Sequence, residues 1–282
     1  MTLRVDAHHH LWDPARRAYP WLDGAAMTPI RRPFEVADLG AMADEIGVTR
    51  TVLVQTVPDV GETRQFLLDA DDSDGLIAGV VGWVDLTADD VADSVERLRS
   101  GPGGRHLVGL RHQAQDEPDP TWLTRPDVVR GLRAATALDL AYDILVTPPH
   151  WEAALTAARS LPQARLVLDH AGKPPIASGD LEPWRRWIAE LAREPQVAVK
   201  LSGLVTEADW HSWVPSDLRP VVDHVLECFG PDRVMLGSDW PVCELAGPVT
   251  VSWRTTVDLL PVEVHDRVLG QNAAEWYALS AT

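Results

Sequence analysis

The chain has 282 residues, of which 45% are hydrophobic and 24% are charged, a composition typical of a folded globular protein with a large core. Its formal net charge of −17 argues against a nucleic-acid partner and against an anionic membrane surface, because like charges repel. Only Cys228 and Cys243 are present, with no signal peptide and no apolar run of about 18 residues, so we expect a cytoplasmic protein without a disulfide framework.

Eight apolar, β-branched runs recur along the chain, and six of them end in a polar residue or a glycine. They are mostly too short and too uniformly apolar for strands with one exposed face, and are typical of strands buried on both faces of a parallel sheet. The predicted strands span residues 3–8, 51–56, 76–84, 107–112, 140–146, 165–170, 197–203 and 233–239.

Segments with helical periodicity lie between these strands. In Phe34–Ile46, apolar residues fall on one stripe of the helix and acidic residues fall elsewhere. This alternation of strands and helices predicts a single-domain (β/α)₈ TIM barrel over residues 1–282, with segment 13–33 as a long first loop that forms a wall or lid of the site. The other predicted helices are Ala88–Ser100, Pro126–Ala137, Trp151–Ser160, Leu181–Arg193 and Pro215–Phe229.

Three consecutive histidines, residues 8–10, lie at the end of the first predicted strand. Side chains alternate along a strand, so His8 and His10 point one way and His9 points the other. A purification-tag remnant does not fit, because the triplet continues directly from an apolar strand into "LWDP". Chemistry in a barrel is located at the carboxyl ends of the strands, so this pair is suited to a divalent metal or to a polar substrate.

Polar residues after the sixth and eighth predicted strands are expected to converge on this pair. "VLDHAGKPP" ends the sixth strand with His170, and "MLGSDWP" ends the eighth with Asp239. An aspartate there could cap a helix, but Pro241 follows closely and no helix begins at once. An ionised carboxylate beside imidazoles is well placed to accept a proton from water.

Five motifs in this order resemble the amidohydrolase superfamily, and more specifically its lactonase branch, which includes the sugar-acid lactonases and pyrone-dicarboxylate lactonase. The resemblance extends from Val5 to segment 272–279 and implies that His8, His10, His170 and Asp239 form the catalytic centre. The motifs are "DAHHHLWD", "GLRHQ", "LDHAGKPP", "KLSGL" and "GSDWP".

The same resemblance implies that Arg111, His112 and Lys173 help to bind the substrate. Arg111 and His112 are neighbours on one strand, so at most one of them faces inward if the strand is regular, and we favour Arg111. Trp12 and Trp240 lie within two of these motifs and are suited to contact an uncharged polyhydroxylated ring. Arg111 and Lys173 are few cations for a dicarboxylate substrate.

The sequence departs from the two-metal members of the superfamily, which use a carboxylated lysine after the fourth strand and a histidine after the fifth. Here the fourth strand ends in arginine and histidine, His150 lies well past the fifth strand, and Lys200 lies within the seventh. The resemblance therefore implies one divalent ion, with zinc best suited to the ligand set His8, His10, His170 and Asp239, or a centre that works without a metal.

The implied reaction is hydrolysis of the carboxylic ester bond in a sugar-acid lactone, such as an L-fucono-, L-rhamnono- or L-galactono-lactone. Asp239 would activate the water, since no Gly-x-Ser-x-Gly segment offers a serine nucleophile. The alternatives are a zinc-dependent decarboxylase of an aromatic acid on the same barrel and a barrel that binds a sugar acid without turnover. The oligomeric state is left open.

Overall fold

The computed structural model describes residues 3–280, which are organised around one eight-stranded sheet. The strands neighbour one another in chain order, and each successive pair is parallel. They are β1 (Val5–His9), β2 (Arg50–Val54), β3 (Ile77–Gly82), β4 (Leu107–His112), β5 (Ala141–Ile144), β6 (Arg165–Leu168), β7 (Val197–Leu201) and β8 (Val234–Leu236).

The sheet closes into a barrel where β8 meets β1, a junction that we call the seam. Strand β8 has only three residues, and an isolated parallel bridge between His9 and Trp240 continues the contact beyond it. Backbone hydrogen bonds run from His10 N to Trp240 O (2.7 Å) and from Asp239 N to His8 O (2.8 Å). The predicted (β/α)₈ barrel is confirmed.

Helices surround the strands and cover the outer face of the barrel. The helices are α1 (Val36–Ile46), α2 (Val60–Asp71), α3 (Val91–Arg99), α4 (Pro126–Ala137), α5 (Trp151–Ser160), α6 (Glu182–Leu191), α7 (Pro215–Phe229), α8 (Val249–Leu259) and α9 (Asn272–Trp276). No helix within residues 3–280 combines the length and the apolar character needed to cross a bilayer.

Three of these helices lie outside the sequence-based predictions, and the residues of two explain why. Helix α2 buries the polar residues Glu62 and Thr63, which interrupts its apolar stripe. Helix α8 is rich in valine and threonine, whose β-branched side chains favour strands in sequence-based reasoning. The short α9 follows directly after a π-helical turn over Arg267–Gln271.

Two further features position the site. The pairing of β1 with β2 shifts register between Asp6 and His9, and such irregularities commonly re-aim side chains next to active sites. At the opposite end of the barrel, Tyr277 follows α9, and its hydroxyl lies 2.8 and 2.9 Å from the two carboxylate oxygens of Asp143 on β5. The barrel interior is therefore filled by polar as well as apolar side chains.

Candidate active site

Two imidazoles and one carboxylate meet at the carboxyl end of the barrel, beside the seam. The Nε2 atoms of His8 and His10 are 3.1 Å apart. Asp239 Oδ1 lies 3.8 Å from His8 Nε2 and 3.5 Å from His10 Nε2. The middle histidine faces away, since His9 Nε2 lies 2.9 Å from Thr51 Oγ1 on the outer side of β1. The structure thus brings His8, His10 and Asp239 together and separates His9 from them.

His170 completes this group from the end of β6. Its ring centroid is 4.5 Å from that of His8, and its Nδ1 lies 3.0 Å from Ser202 Oγ. One possible ligand atom each from His8, His170 and Asp239 lie within 4.8 Å of one another. His170 and Asp239 both have left-handed backbone angles, with φ of 52° and 56°. Such strained positions concentrate at functional sites, where the surrounding structure holds them.

Burial sets the protonation of these groups. It lowers the pKa of His170 to about 4, although Asp239 and Asp169 oppose the shift, and it lowers the pKa of His8 well below the ordinary value. Burial alone would raise the pKa of Asp239, but the neighbouring His170 and His10 outweigh it and leave that pKa below its usual range. At neutral pH the imidazoles of His8 and His170 are therefore neutral, and the carboxylate of Asp239 is ionised.

The arrangement fits one tetrahedral metal ion. Nitrogen or oxygen ligands about 2.0–2.1 Å from a zinc ion lie roughly 3.3–3.4 Å from one another. The separations among His8, His10 and Asp239, between 3.1 and 3.8 Å, agree with that geometry. Beneath them the buried Asp169 Oδ1 lies 2.9 Å from Lys200 Nζ and 3.2 Å from His8 Nδ1, where it could accept a hydrogen bond from a metal-bound imidazole.

A cavity of about 280 Å³ opens above this group. His10, His170 and Asp239 lie on its wall, together with Arg111 and Lys173. The first loop contributes Trp21 and Met27, which agrees with the prediction that segment 13–33 forms a wall. Other residues of the lining were not predicted from the sequence, among them Thr56, Gln113, Gln115, Asp116, Thr206, Glu207 and Trp210.

The two cations of the cavity are each paired with an acid. Arg111 Nη1 lies 3.0 Å from Asp169 Oδ2, and its Nε donates to Gln55 Oε1 over 3.0 Å. Lys173 Nζ lies 3.7 Å from Glu207 Oε1. Among the described residues that line the cavity, no cation therefore lacks an acidic partner.

Three residues expected to contact the substrate lie elsewhere. His112 follows Arg111 on β4 and faces the helices, where its ring stacks on Trp122 with centroids 4.0 Å apart. Trp12 is buried and donates to Ile30 O over 3.1 Å, and Trp240 packs edge-on against Phe34. Trp12 and Trp240 thus support the wall from behind, so direct contact with substrate does not fit their placement.

Two of the unpredicted lining residues have a recognisable sequence signal. Glu207 and Trp210 come shortly after the "KLSGL" motif, in the loop that follows β7. Residues after any barrel strand are candidates for the site. The one histidine of this loop, His211, is exposed and does not line the cavity, so attention to metal ligands alone passes over the loop.

Comparison with known proteins assigns the family. The amidohydrolase profile matches residues 5–279. The chain belongs to the amidohydrolase family. Within this family, an L-fucono-1,5-lactonase of Burkholderia ambifaria is 41% identical over 288 aligned positions, which cover 99% of this chain and 97% of the relative.

Two further relatives come from Burkholderia multivorans. An L-fucono-1,5-lactonase of that organism is 38% identical, with 99% of this chain and 97% of the relative aligned. A crystal structure of an amidohydrolase with bound zinc superposes with a TM-score of 0.89 at 38% identity, covering 99% of this chain and all of that one. A divalent metal, with zinc the best candidate, is thus supported both by this relative and by the buried ligand group.

Proposed function

We propose that this protein hydrolyses the lactone of a sugar acid, an L-fucono-1,5-lactone or a close relative. The observation that carries the proposal is full-length similarity, at 41% and 38% identity, to two L-fucono-1,5-lactonases. The geometry supports it, because an ionised carboxylate, neutral imidazoles and a polar cavity are what the opening of a cyclic ester needs.

The lining charges favour an uncharged, polyhydroxylated substrate. Arg111 and Lys173 are already paired with Asp169 and Glu207. Asp116 and Asp239 add negative charge to the wall. A dicarboxylate would have to compete for these cations, whereas amide and carboxylate oxygens on the wall can accept hydrogen bonds from sugar hydroxyls. We extend the proposal to a small-molecule substrate, with neither nucleic acid nor membrane as partner, and to the cytoplasm, which suits two free cysteines.

In the proposed mechanism Asp239 acts as the base. Its carboxylate takes a proton from water while the water oxygen adds to the lactone carbonyl carbon. Lys173 and His170 lie on the cavity wall, where they can stabilise the oxyanion. The ring C–O bond then breaks, and Asp239 returns the proton to the leaving alkoxide. The product is an open-chain hydroxy acid, which releases one proton at neutral pH.

The residues that would hold a zinc ion are His8, His10, His170 and Asp239. Such an ion, when bound, supplies a Lewis acid for the carbonyl and lowers the pKa of a bound water. In either case this chain's own residues orient the substrate through the cavity wall and move the proton through Asp239.

The decisive experiment measures proton release over a panel of aldonolactones, with an anionic dicarboxylate lactone as the charged comparison. We expect turnover of one or more L-configured sugar lactones and weak or no turnover of the dicarboxylate. Asp239→Asn should lower kcat by at least about 10²-fold, because it removes the base. Asp116→Asn, also on the wall, controls for a general loss of charge and should keep most of kcat.

Other outcomes would contradict the proposal. Release of carbon dioxide from aromatic acids with no action on lactones would select a decarboxylase instead. Near-normal hydrolysis by a folded Asp239→Asn variant would remove this residue as the base. Binding of sugar lactones without turnover would indicate a binding protein.

A further inference from the structure

A buried group of charges lies directly beneath His8, and we call it the basal cluster: Asp143, Asp169, Lys200 and Tyr277. Lys200 Nζ lies 2.5 Å from Asp143 Oδ2 and 2.9 Å from Asp169 Oδ1, and both carboxylates are fully buried. With Arg111 also paired to Asp169, two cations balance two anions. Together with Arg111, the cluster is thus a neutral unit.

His8 Nδ1 lies between two members of this cluster that need opposite hydrogen-bonding partners, one an acceptor and the other a donor. It is 3.1 Å from Lys200 Nζ, which can only donate a hydrogen bond, and 3.2 Å from Asp169 Oδ1, which when ionised can only accept one. A neutral imidazole carries its single proton on one nitrogen. His8 can therefore satisfy Lys200 with the proton on Nε2, or Asp169 with the proton on Nδ1, but not both.

The geometry of this structure corresponds to the first arrangement. Lys200 donates to His8 Nδ1, which leaves the His8 proton on Nε2, 3.1 Å from His10 Nε2. His10 can accept that proton, because its own proton must be on Nδ1, which donates to Val54 O over 2.8 Å. The chain of hydrogen bonds is complete, and Asp169 Oδ1 is left with only its ion pair to the Lys200 ammonium, 2.9 Å away.

A metal ion at this site needs the opposite tautomer. Binding through His8 Nε2 requires a lone pair on that nitrogen, so the proton must be on Nδ1. There it has a nearby acceptor, Asp169 Oδ1, 3.2 Å from His8 Nδ1. Ligating histidines generally donate their second nitrogen to a carboxylate, which fixes the ring and raises ligand basicity.

We infer that metal binding switches His8 between two tautomers, with Lys200 holding the metal-free form and Asp169 holding the metal-bound form. One proton leaves Nε2 and one is taken up at Nδ1, so the imidazole stays neutral, and the Lys200 ammonium keeps its two carboxylate partners. Lys200 and Asp169 are thus positioning residues with opposite effects on metal affinity. The inference rests on the metal ligands of the proposed site but not on the substrate or the reaction.

Zinc affinity, measured by competition with a chromogenic chelator, separates the two roles. Asp169→Asn should weaken zinc binding by about 10-fold or more, the usual cost of losing an outer-shell carboxylate. Replacing Lys200 and Asp143 together, as Lys200→Met with Asp143→Asn, removes one charge of each sign. This double variant should bind zinc several-fold more tightly than the wild type, because the Lys200 ammonium no longer holds the proton on Nε2. A purely structural role would weaken binding in both variants.

Tyr277→Phe is the matched control. It removes a hydroxyl that contacts Asp143 in the same cluster and does not reach His8. We expect its thermal stability to fall while its zinc affinity stays within about twofold of the wild type, since the contacts that set the His8 tautomer are unchanged.

Nitrogen-15 NMR of histidine-labelled protein shows directly which nitrogen of His8 carries the proton. It needs only the wild type, so it tests the inference even where a variant fails to fold. We expect His8 to carry its proton on Nε2 without zinc and on Nδ1 with zinc. The same tautomer in both states, weaker zinc binding by the folded double variant, or no zinc binding by the wild type would overturn the inference. None of these readouts involves turnover, so a failure of the lactonase proposal remains distinguishable.

Discussion

At the scale of single residues, Gly203 shows how closely the backbone approaches the catalytic groups. A Cβ atom at this position would lie 2.6 Å from Asp239 Oδ2 and 2.8 Å from His170 Nδ1, distances at which a neighbour must move. The residue also has a φ of +60°, which disfavours any side chain. Glycine here therefore makes room for the base and for one of the histidines.

Gly203→Ala should lower kcat/KM by roughly 10²-fold, because a displacement of about 1 Å at the base is enough for such a loss. Gly179→Ala is the control, since Gly179 has a φ of +73° but nothing within 4 Å of the added atom. The two variants carry the same backbone penalty, so equal activity in both would show that the contact with Asp239 does not matter.

Asp6 supports the site from β1 and makes stability depend on pH. Its carboxylate accepts from Ser238 N over 2.8 Å and from His8 N over 3.1 Å. Burial raises its pKa from 3.8 to about 6, despite these hydrogen bonds. The folded protein thus holds this proton more tightly than the unfolded chain, and the stability that Asp6 contributes is lost as pH rises from about 4 through about 6.

Asp6→Asn should remove this dependence, because the amide oxygen can accept the backbone hydrogen bonds and its nitrogen can donate to Ser238 Oγ. Relative to wild type, the free energy of unfolding of the metal-free variant should rise by about 1 kcal/mol between pH 5 and pH 7. Urea unfolding at the two pH values measures it. A constant difference between the two proteins would mean that Asp6 does not titrate in this range.

The residues that carry the chemistry were predictable from the sequence, whereas their supports were not. His8, His10, His170 and Asp239 follow strand-like runs, and a barrel brings strand ends together. Their roles remain predictions. The pairing of Lys200 with Asp143 and Asp169 was not foreseen. These side chains come from three parts of the barrel, and whether they lie at the same height depends on the register between the strands. A sequence shows which residues end a strand, but not which side chains meet below that end.

At the scale of elements, alternation along β4 decides which of two neighbours reaches the cavity. Arg111 points inward, and His112 points to the helices, where Trp83 Nε1 donates to its Nδ1 over 3.0 Å and Glu117 Oε1 accepts from its Nε2 over 2.8 Å. The same two-residue period predicted that at most one of the two neighbours faces inward. Strand periodicity is therefore a dependable guide where the strand is regular.

His112→Ala should leave kcat/KM within about threefold of the wild type while lowering the melting temperature, because its contacts stabilise the wall without reaching substrate. Arg111→Met should lower kcat/KM much more, since it leaves Asp169 beside His8 without one of its cations. Steady-state kinetics and thermal unfolding of both variants make the comparison. A folded His112→Ala variant as impaired as Arg111→Met would contradict this assignment of roles.

The first loop illustrates the limit of prediction for irregular elements. Its length and its place after β1 indicated a wall of the site, and Trp21 and Met27 do line the cavity. Trp12 was expected there as well but packs edge-on against Trp21 and Phe34, with ring centroids 5.0 and 5.2 Å apart. Which tryptophan faces the cavity depends on turns such as Ala25–Ile30, for which the segment has no periodic pattern.

At the scale of the whole molecule, the metal ligands join distant parts of the chain, so zinc should stabilise the entire fold. Zinc at about 100 times its Kd should add roughly 2.7 kcal/mol to the free energy of unfolding and raise the melting temperature by on the order of 5 °C. Thermal scans of chelator-treated protein with and without added zinc measure this shift. Asp239→Asn should lose most of it, and equal melting temperatures for the wild type in both conditions would exclude a metal at this site.

The seam has a consequence for how the protein matures. His8 and His10 are made early in synthesis, but the segment that completes their surroundings, Asp239 and Trp240, pairs with them from more than two hundred residues further along. Joining such remote segments is slow, because a long stretch of chain must be ordered first. A ribosome-bound nascent chain that stops before the eighth strand lacks the residues that surround these histidines. The active enzyme therefore forms only after the last strand of the barrel has emerged from the ribosome.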